Sequence, residues 1–165
     1  MTGRLASADP ELAVRLAVAP TWARAVAALA ACRAVVAATG VVDPRVDAAL
    51  AAAREGQLGE SPEHDAVLVL GDELDDAAWT VQEAVDRGLA DQADFEAAFA
   101  RARAVTAVDV LLDGEPDGPP EAIYEALYAT DDVDALRQAV LDALAGADKA
   151  TDPPLPPVDP PNGRR

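Results

Sequence analysis

The side chains of this chain that could carry out chemistry are almost all carboxylates. The densest run is Asp72, Glu73, Asp75 and Asp76. On a helix this spacing places Asp72 on the same face as Asp75 and Asp76, and carboxylate oxygens are the ligands that hard divalent cations prefer. Runs of this kind more often form a solvated helix face. We therefore predict no metal ligands in this run.

A second acidic stretch, residues 113–118, resembles the first half of a calcium-binding loop. Its sequence, Asp-Gly-Glu-Pro-Asp-Gly, supplies oxygens at loop positions 1, 3 and 5 and glycine at position 6. The second half departs from the pattern, because Pro120 replaces a small aliphatic residue and Tyr124 stands where the bidentate glutamate belongs. Glu125 comes one residue too late. We predict an acidic turn rather than a calcium site.

Histidine and cysteine each occur once, as His64 and Cys32. One histidine cannot build a multi-histidine metal site, and the sequence holds neither a glycine-rich phosphate loop nor a nucleophile elbow. We predict that His64 is a surface residue beside a helix cap. These features favour a protein with no catalytic residues, no metal and no cofactor. A carboxylate-based enzyme or divalent-metal-binding protein is the competing class.

The clearest candidate for a binding surface is a tryptophan surrounded by acids. Trp79 lies opposite the apolar stripe of its predicted helix, on the face that a packed helix turns toward solvent. Its neighbours on that face are Leu68, Asp72, Asp75, Glu83 and Asp86. A tryptophan within a charged rim is typical of an interface anchor. The alternative is that this helix is central and buried on two sides, with Trp79 in the core.

Two charged residues fall within or near apolar helix faces. Arg33 lies among apolar residues of its helix, including Trp22 and Leu29, and Asp109 lies near a stripe that contains Phe95 and Phe99. We predict that Arg33 and Asp109 form a buried or half-buried ion pair that fixes helix register. In the alternative, the Arg33 guanidinium reaches solvent along its aliphatic stem.

The elements that position these residues are marked by helix caps and by glycines. Helix starts are indicated by Asp9-Pro10, Asp43-Pro44, Ser61-Pro62 and Pro119-Pro120, and helix ends by Gly40, Gly56, Gly88, Gly114 and Gly146. The pattern predicts an all-α fold, a compact bundle of about six to seven short helices over residues 1–146. Residues 66–71 could form a buried strand, but apolar spacing favours one long helix with Gly71 inside it.

Residues 147–165 differ from the rest because they are rich in proline and have little to bury. We predict a disordered or polyproline II tail. Its PxxP spacings, which include Pro153 and Pro156, are compatible with docking in an aromatic groove. A solvated tail is preferred, since no basic residue stands where such ligands usually need one.

The formal net charge of −17 restricts the partners that this chain can bind. Binding to phosphates needs clustered Lys and Arg, whereas Lys149 is the only lysine and the arginines are scattered. We therefore expect no nucleic-acid or membrane binding and predict a protein partner, preferably a basic one. No signal-peptide pattern and no membrane-span-like stretch is recognised in the sequence, so we expect a cytoplasmic protein.

The segment TWARAVAALAACRAVVAATGVVDPRVDAALAAAREGQLG, about a quarter of the chain, combines Cys32 in an alanine-rich helix with Pro44-Arg45 before AALAAAREG. In these features it resembles a family of small alanine-rich bacterial immunity proteins. The resemblance implies a non-enzymatic helical protein that binds another protein, and it supplies no active-site residues. Our prediction is an immunity-like or adaptor module with an acidic surface. A homo-oligomeric scaffold subunit is a further alternative.

Overall fold

The structure is a computed structural model that describes residues 3–149, and within that range it contains helices and no β-strand. In chain order the helices are α1 Arg4–Ala8, α2 Pro10–Val18, α3 Thr21–Thr39, α4 Pro44–Arg54, α5 Pro62–Asp86, α6 Gln92–Leu112, α7 Gly118–Tyr128 and α8 Val133–Lys149. The all-α prediction is confirmed. The described residues hold eight helices rather than six to seven, because the short α1 precedes the first predicted helix. α5 is continuous through Gly71, so the strand alternative is wrong.

Helix starts follow from side-chain caps, as the sequence indicates. Asp9 Oδ1 accepts a hydrogen bond from the Leu12 amide at 2.9 Å, and Asp43 Oδ1 accepts one from the Arg45 amide at 2.9 Å. In both cases proline occupies the first helical position, where its missing N–H costs nothing. Gly40 ends α3 in the left-handed conformation, with φ of 68°, which glycine adopts without steric penalty.

The predicted helix end at Gly146 is wrong, because α8 continues through Gly146 to Lys149. The helix extends because Ala147 is buried against the bundle, and this packing offsets the roughly 1 kcal/mol that glycine costs inside a helix. The predicted proline-rich tail lies outside the described residues from residue 150 onward.

The bundle is organised around two central helices, α3 and α6. α3 packs against α4, α6, α7 and α8, whereas α6 packs against α3, α4, α5 and α7. By length and composition α3 is also long and apolar enough to cross a membrane. Its contacts with four helices account for that apolar composition, since core helices of bundles are apolar on several sides.

The buried core is aliphatic. Its largest fully buried side chains include Leu5, Leu12, Leu16, Leu112 and Ile123. The two Trp, two Tyr and two Phe residues of the chain are all half-buried or exposed. Aromatic side chains usually dominate core energetics because of their large area. In this protein the aromatic side chains therefore contribute less to the core than they usually do.

α5 and α6 form a helical hairpin whose far end contains no fully buried residue. We call residues 79–101 the arm. None of these residues is buried, whereas α6 contributes seven buried residues between Ala102 and Leu112. The arm therefore rests mainly on the contact between its own two helices, and none of its side chains is fully covered.

Candidate interaction surface

The six residues predicted as an interface lie on one open face of α5, which we call the acidic face. Trp79 is 68% exposed, Leu68, Asp72, Glu83 and Asp86 are exposed, and Asp75 is half-buried. The buried residues of α5 are Val67, Leu70 and Ala78, on the opposite side, where α4 and α6 pack. The alternative that Trp79 belongs to the core is therefore wrong.

The helix that carries the acidic face is strongly negative. α5 contains eight Asp and Glu residues and no Lys or Arg. Two of its carboxylates are paired: Glu73 Oε2 lies 2.9 Å from Arg45 Nη2, and Glu83 Oε2 lies 3.0 Å from Arg87 Nη2. The remaining acids give the helix a field that attracts cationic groups and repels anionic ones.

The predicted pair between Arg33 and Asp109 is not formed. Arg33 is exposed, as the alternative expected, and Asp109 lies against His64, with 3.1 Å between His64 Nε2 and Asp109 Oδ1. The antiparallel hairpin explains this pairing, because it sets the first turn of α5 beside the last turns of α6. Burial raises the pKa of Asp109, and the neighbouring His64 opposes that rise.

His64 is only partly where the sequence predicts it. Its amide donates to Ser61 Oγ at 3.1 Å, so it does belong to a helix cap. Its side chain, however, is largely buried between α5 and α6 and not on the surface. His64 lies one turn before the buried Val67 on α5. This position near the apolar stripe could have predicted a largely buried side chain.

An ion-pair cluster that the sequence did not predict surrounds Glu125. This residue is only 3% exposed, and its carboxylate bridges two arginines. Arg4 Nη1 lies 3.0 Å from Glu125 Oε1, and Arg103 Nη1 lies 2.6 Å from Glu125 Oε2. The cluster ties α1, α6 and α7 together. Its signal in the sequence is a glutamate between Tyr124 and Ala126 in an otherwise apolar stretch of α7.

A cleft bounded by aromatic rings lies between the first half of α6 and the end of α7. We call it the aromatic cleft. It has a volume of about 380 Å³, and its lining includes Phe95, Phe99 and Tyr128 with the acids Glu96 and Asp131. The rings of Phe95 and Phe99 are 5.8 Å apart between centroids. This cleft is not predicted by the sequence. Helical spacing places both phenylalanines in an apolar stripe of their helix and cannot indicate that Tyr128 at the end of α7 lies beside them.

Two arginines already lie on aromatic rings beside this cleft. The Arg103 guanidinium carbon is 5.1 Å from the centroid of Phe99, and that of Arg4 is 4.1 Å from the centroid of Tyr124. Tyr124 in turn contacts Tyr128, with centroids 4.7 Å apart. Cation–π contact is therefore a repeated feature of this part of the surface.

The other candidate residues for chemistry lie apart from one another in the described part of the chain. Cys32 is fully buried and its Sγ donates to the Ala107 carbonyl oxygen at 3.3 Å; burial raises the pKa of its thiol to about 12. Within residues 3–149, no three His, Cys, Asp or Glu side chains converge as a metal-ligand set. The stretch that resembles a calcium loop runs from the end of α6 into the first turn of α7, with Asp113 and Asp117 exposed.

No family model, curated protein or solved structure matches the chain. The resemblance to immunity proteins thus stays a prediction. The arm, the acidic face and the aromatic cleft are the features of the structure that bear on function.

Proposed function

We propose that the protein is a non-enzymatic interaction module that binds a basic protein partner through the acidic face of α5, with Trp79 as the anchor. The observation that carries this proposal is the arm. It buries none of its residues, yet it displays Trp79 at 68% exposure and Leu89 at 78% exposure. Large apolar side chains on a projecting element are typical of a surface that a partner covers.

The anchoring role of Trp79 is supported by its exposed area. A buried tryptophan removes 150–250 Å² from water, so covering a ring that is 68% exposed removes roughly 100–170 Å². At about 25 cal/mol per Å², this corresponds to about 2.5–4 kcal/mol. That range is the one in which interface hot spots fall.

The chemistry of the partner follows from the surrounding charge. A phosphate backbone or an anionic lipid surface would be repelled by α5, which carries eight acids and no Lys or Arg. A partner with lysines or arginines around an apolar pocket would instead be steered to the face by its field. An immunity-like or adaptor protein in the cytoplasm is the biological setting we propose.

A photo-crosslinking experiment tests this proposal in the cell that makes the protein. We place a photoreactive phenylalanine analogue at Trp79 and, as a control, at Val42, which is 95% exposed and lies in the loop between α3 and α4. We expect a protein adduct from position 79 and none from position 42. Adducts of equal yield from both positions would contradict the proposal.

Purified components then give the decisive measurement. The crosslinked protein should bind the wild-type chain, and Trp79→Ala should weaken binding by at least about tenfold, since interface tryptophans often contribute 2 kcal/mol or more. Val42→Ala should leave binding unchanged. Both variants should unfold at the wild-type urea concentration, because neither side chain is packed in the core. Undiminished binding by Trp79→Ala would refute the anchor.

A further inference from the structure

The aromatic cleft combines two features that together select a cationic ligand. Its walls include the rings of Phe95, Phe99 and Tyr128, and two carboxylates, Glu96 and Asp131, stand among its lining residues. Aromatic faces carry negative electrostatic potential and attract cations within about 6 Å of the ring centroid. Among the described residues, neither Glu96 nor Asp131 has an ion-pair partner, so both remain to attract an incoming cation.

Contacts within the protein itself indicate which cation binds to aromatic rings flanked by carboxylates. Arg103 lies over Phe99 and Arg4 lies over Tyr124, and each is also paired with a glutamate. A guanidinium group can stack on a ring with its face and donate to a carboxylate with its edge at the same time. The positive charge of Arg103 is offset by Glu125 at 2.6 Å, so it does not bar a second cation from the cleft.

We propose that the aromatic cleft binds an arginine side chain presented by a basic segment of a protein partner. The arginine stacks on the rings of Phe95, Phe99 and Tyr128, and its guanidinium donates to Glu96 or Asp131. A purely aliphatic side chain would form no charge-assisted hydrogen bond with either of these exposed carboxylates. The cleft shares no residue with the acidic face of α5. Each of the two proposed sites can therefore be tested, and refuted, without the other.

Matched peptides provide a direct test on the full-length protein. Acetyl-Gly-Arg-Gly-amide is titrated against the same peptide with citrulline, which has nearly the same shape as arginine but no charge. The readout is the NMR shift of the Phe95, Phe99 and Tyr128 ring signals. We expect saturable shifts with the arginine peptide and at least about fivefold weaker binding of the citrulline peptide, because cation–π and carboxylate attraction are both lost.

Substitutions locate the site and separate it from the acidic face. Phe99→Leu and Tyr128→Leu keep apolar volume and remove a ring, so each should weaken arginine-peptide binding severalfold without unfolding the protein. Glu96→Gln should weaken it too. Trp79→Ala is the matched control and should have no effect. Loss of partner binding in Trp79→Ala with intact peptide binding would concern the acidic face alone.

Three results would overturn the proposal. Equal binding of both peptides would mean a neutral polar groove. Loss of binding in Glu96→Gln but not in Phe99→Leu or Tyr128→Leu would mean general electrostatic attraction without the rings. Stronger peptide binding after Arg164→Gln and Arg165→Gln would mean that the chain's own C-terminal arginines occupy the cleft, which would remove the partner from the assignment.

Discussion

Replacement of Glu125 by glutamine should destabilise the protein by about 2–3 kcal/mol. The side chain is 3% exposed and contacts Arg103 at 2.6 Å and Arg4 at 3.0 Å. Removing one partner of a fully buried ion pair costs about 3–5 kcal/mol, because it leaves an uncompensated charge. The side chains of Arg103 and Arg4 are 28% and 55% exposed, so water compensates part of that charge and we place the cost below the full range.

Urea denaturation measures this cost, and the same helix supplies the control. Glu121 lies one turn before Glu125 and contacts Arg4 at 3.3 Å. Because that pair is largely solvated, Glu121→Gln should change the free energy of unfolding by no more than about 0.5 kcal/mol. Glu125→Gln should shift the urea midpoint by on the order of 1 M, at a slope of about 1–3 kcal/mol per M.

A small effect would refute the reasoning. If Glu125→Gln costs no more than Glu121→Gln, the arginines are adequately solvated without the carboxylate, and the cluster does not hold α1 and α6 on α7. A double-mutant cycle with Arg103→Met sharpens the result. The coupling energy between Glu125 and Arg103 should exceed that between Glu121 and Arg4, since only the first pair is shielded from water.

Two further predictions concern the hairpin and the core. Cys32 should not react with a thiol reagent at pH 8 in the folded protein, because burial raises its thiol pKa to about 12 and keeps the reagent from the sulfur. The rate of modification should rise with urea concentration as the protein unfolds. Rapid labelling without urea would contradict the burial of Cys32. Burial also raises the pKa of Asp109 above its ordinary 3.8, so its ionised form is disfavoured in the folded state. The free energy of unfolding should therefore contain a component that falls as pH rises from below 3.8 through the raised pKa. Asp109→Asn should remove that component, whereas Asp117→Asn, at an exposed carboxylate that does not contribute to the shift, should retain it. Identical pH profiles for wild type and Asp109→Asn would contradict the assignment.

The helices themselves could be predicted because their signals are local. An N-cap acts over three residues, as at Asp9 and Asp43, and a left-handed glycine acts over one turn, as at Gly40. The failure at Gly146 has a non-local cause. Whether a helix continues past a glycine depends on what the next turn packs against. The burial of Ala147 depends on tertiary packing and cannot be predicted from the residues next to it in sequence.

The candidate site could be predicted only in part, for the same reason. Helical periodicity placed Trp79 among acids but left open whether a second layer covers that face, and this depends on where the other helices pack. The pairing of Asp109 with His64 required the antiparallel arrangement of α5 and α6. The aromatic cleft required Tyr128 to approach Phe99, and no periodicity within one helix indicates a contact between two.

The charge of the acidic face also bears on the alternative of a homo-oligomeric scaffold. Pairing two copies through this face would bring the acids of both α5 helices together, and no lysine or arginine of α5 could separate them. Such self-association is opposed by repulsion that salt screens beyond about 10 Å at 0.1 M. Binding of a basic partner depends on attraction that the same salt weakens. The two functions therefore have opposite salt dependence: added salt favours a dimer formed through Trp79 and disfavours a complex with a basic partner at the same residue.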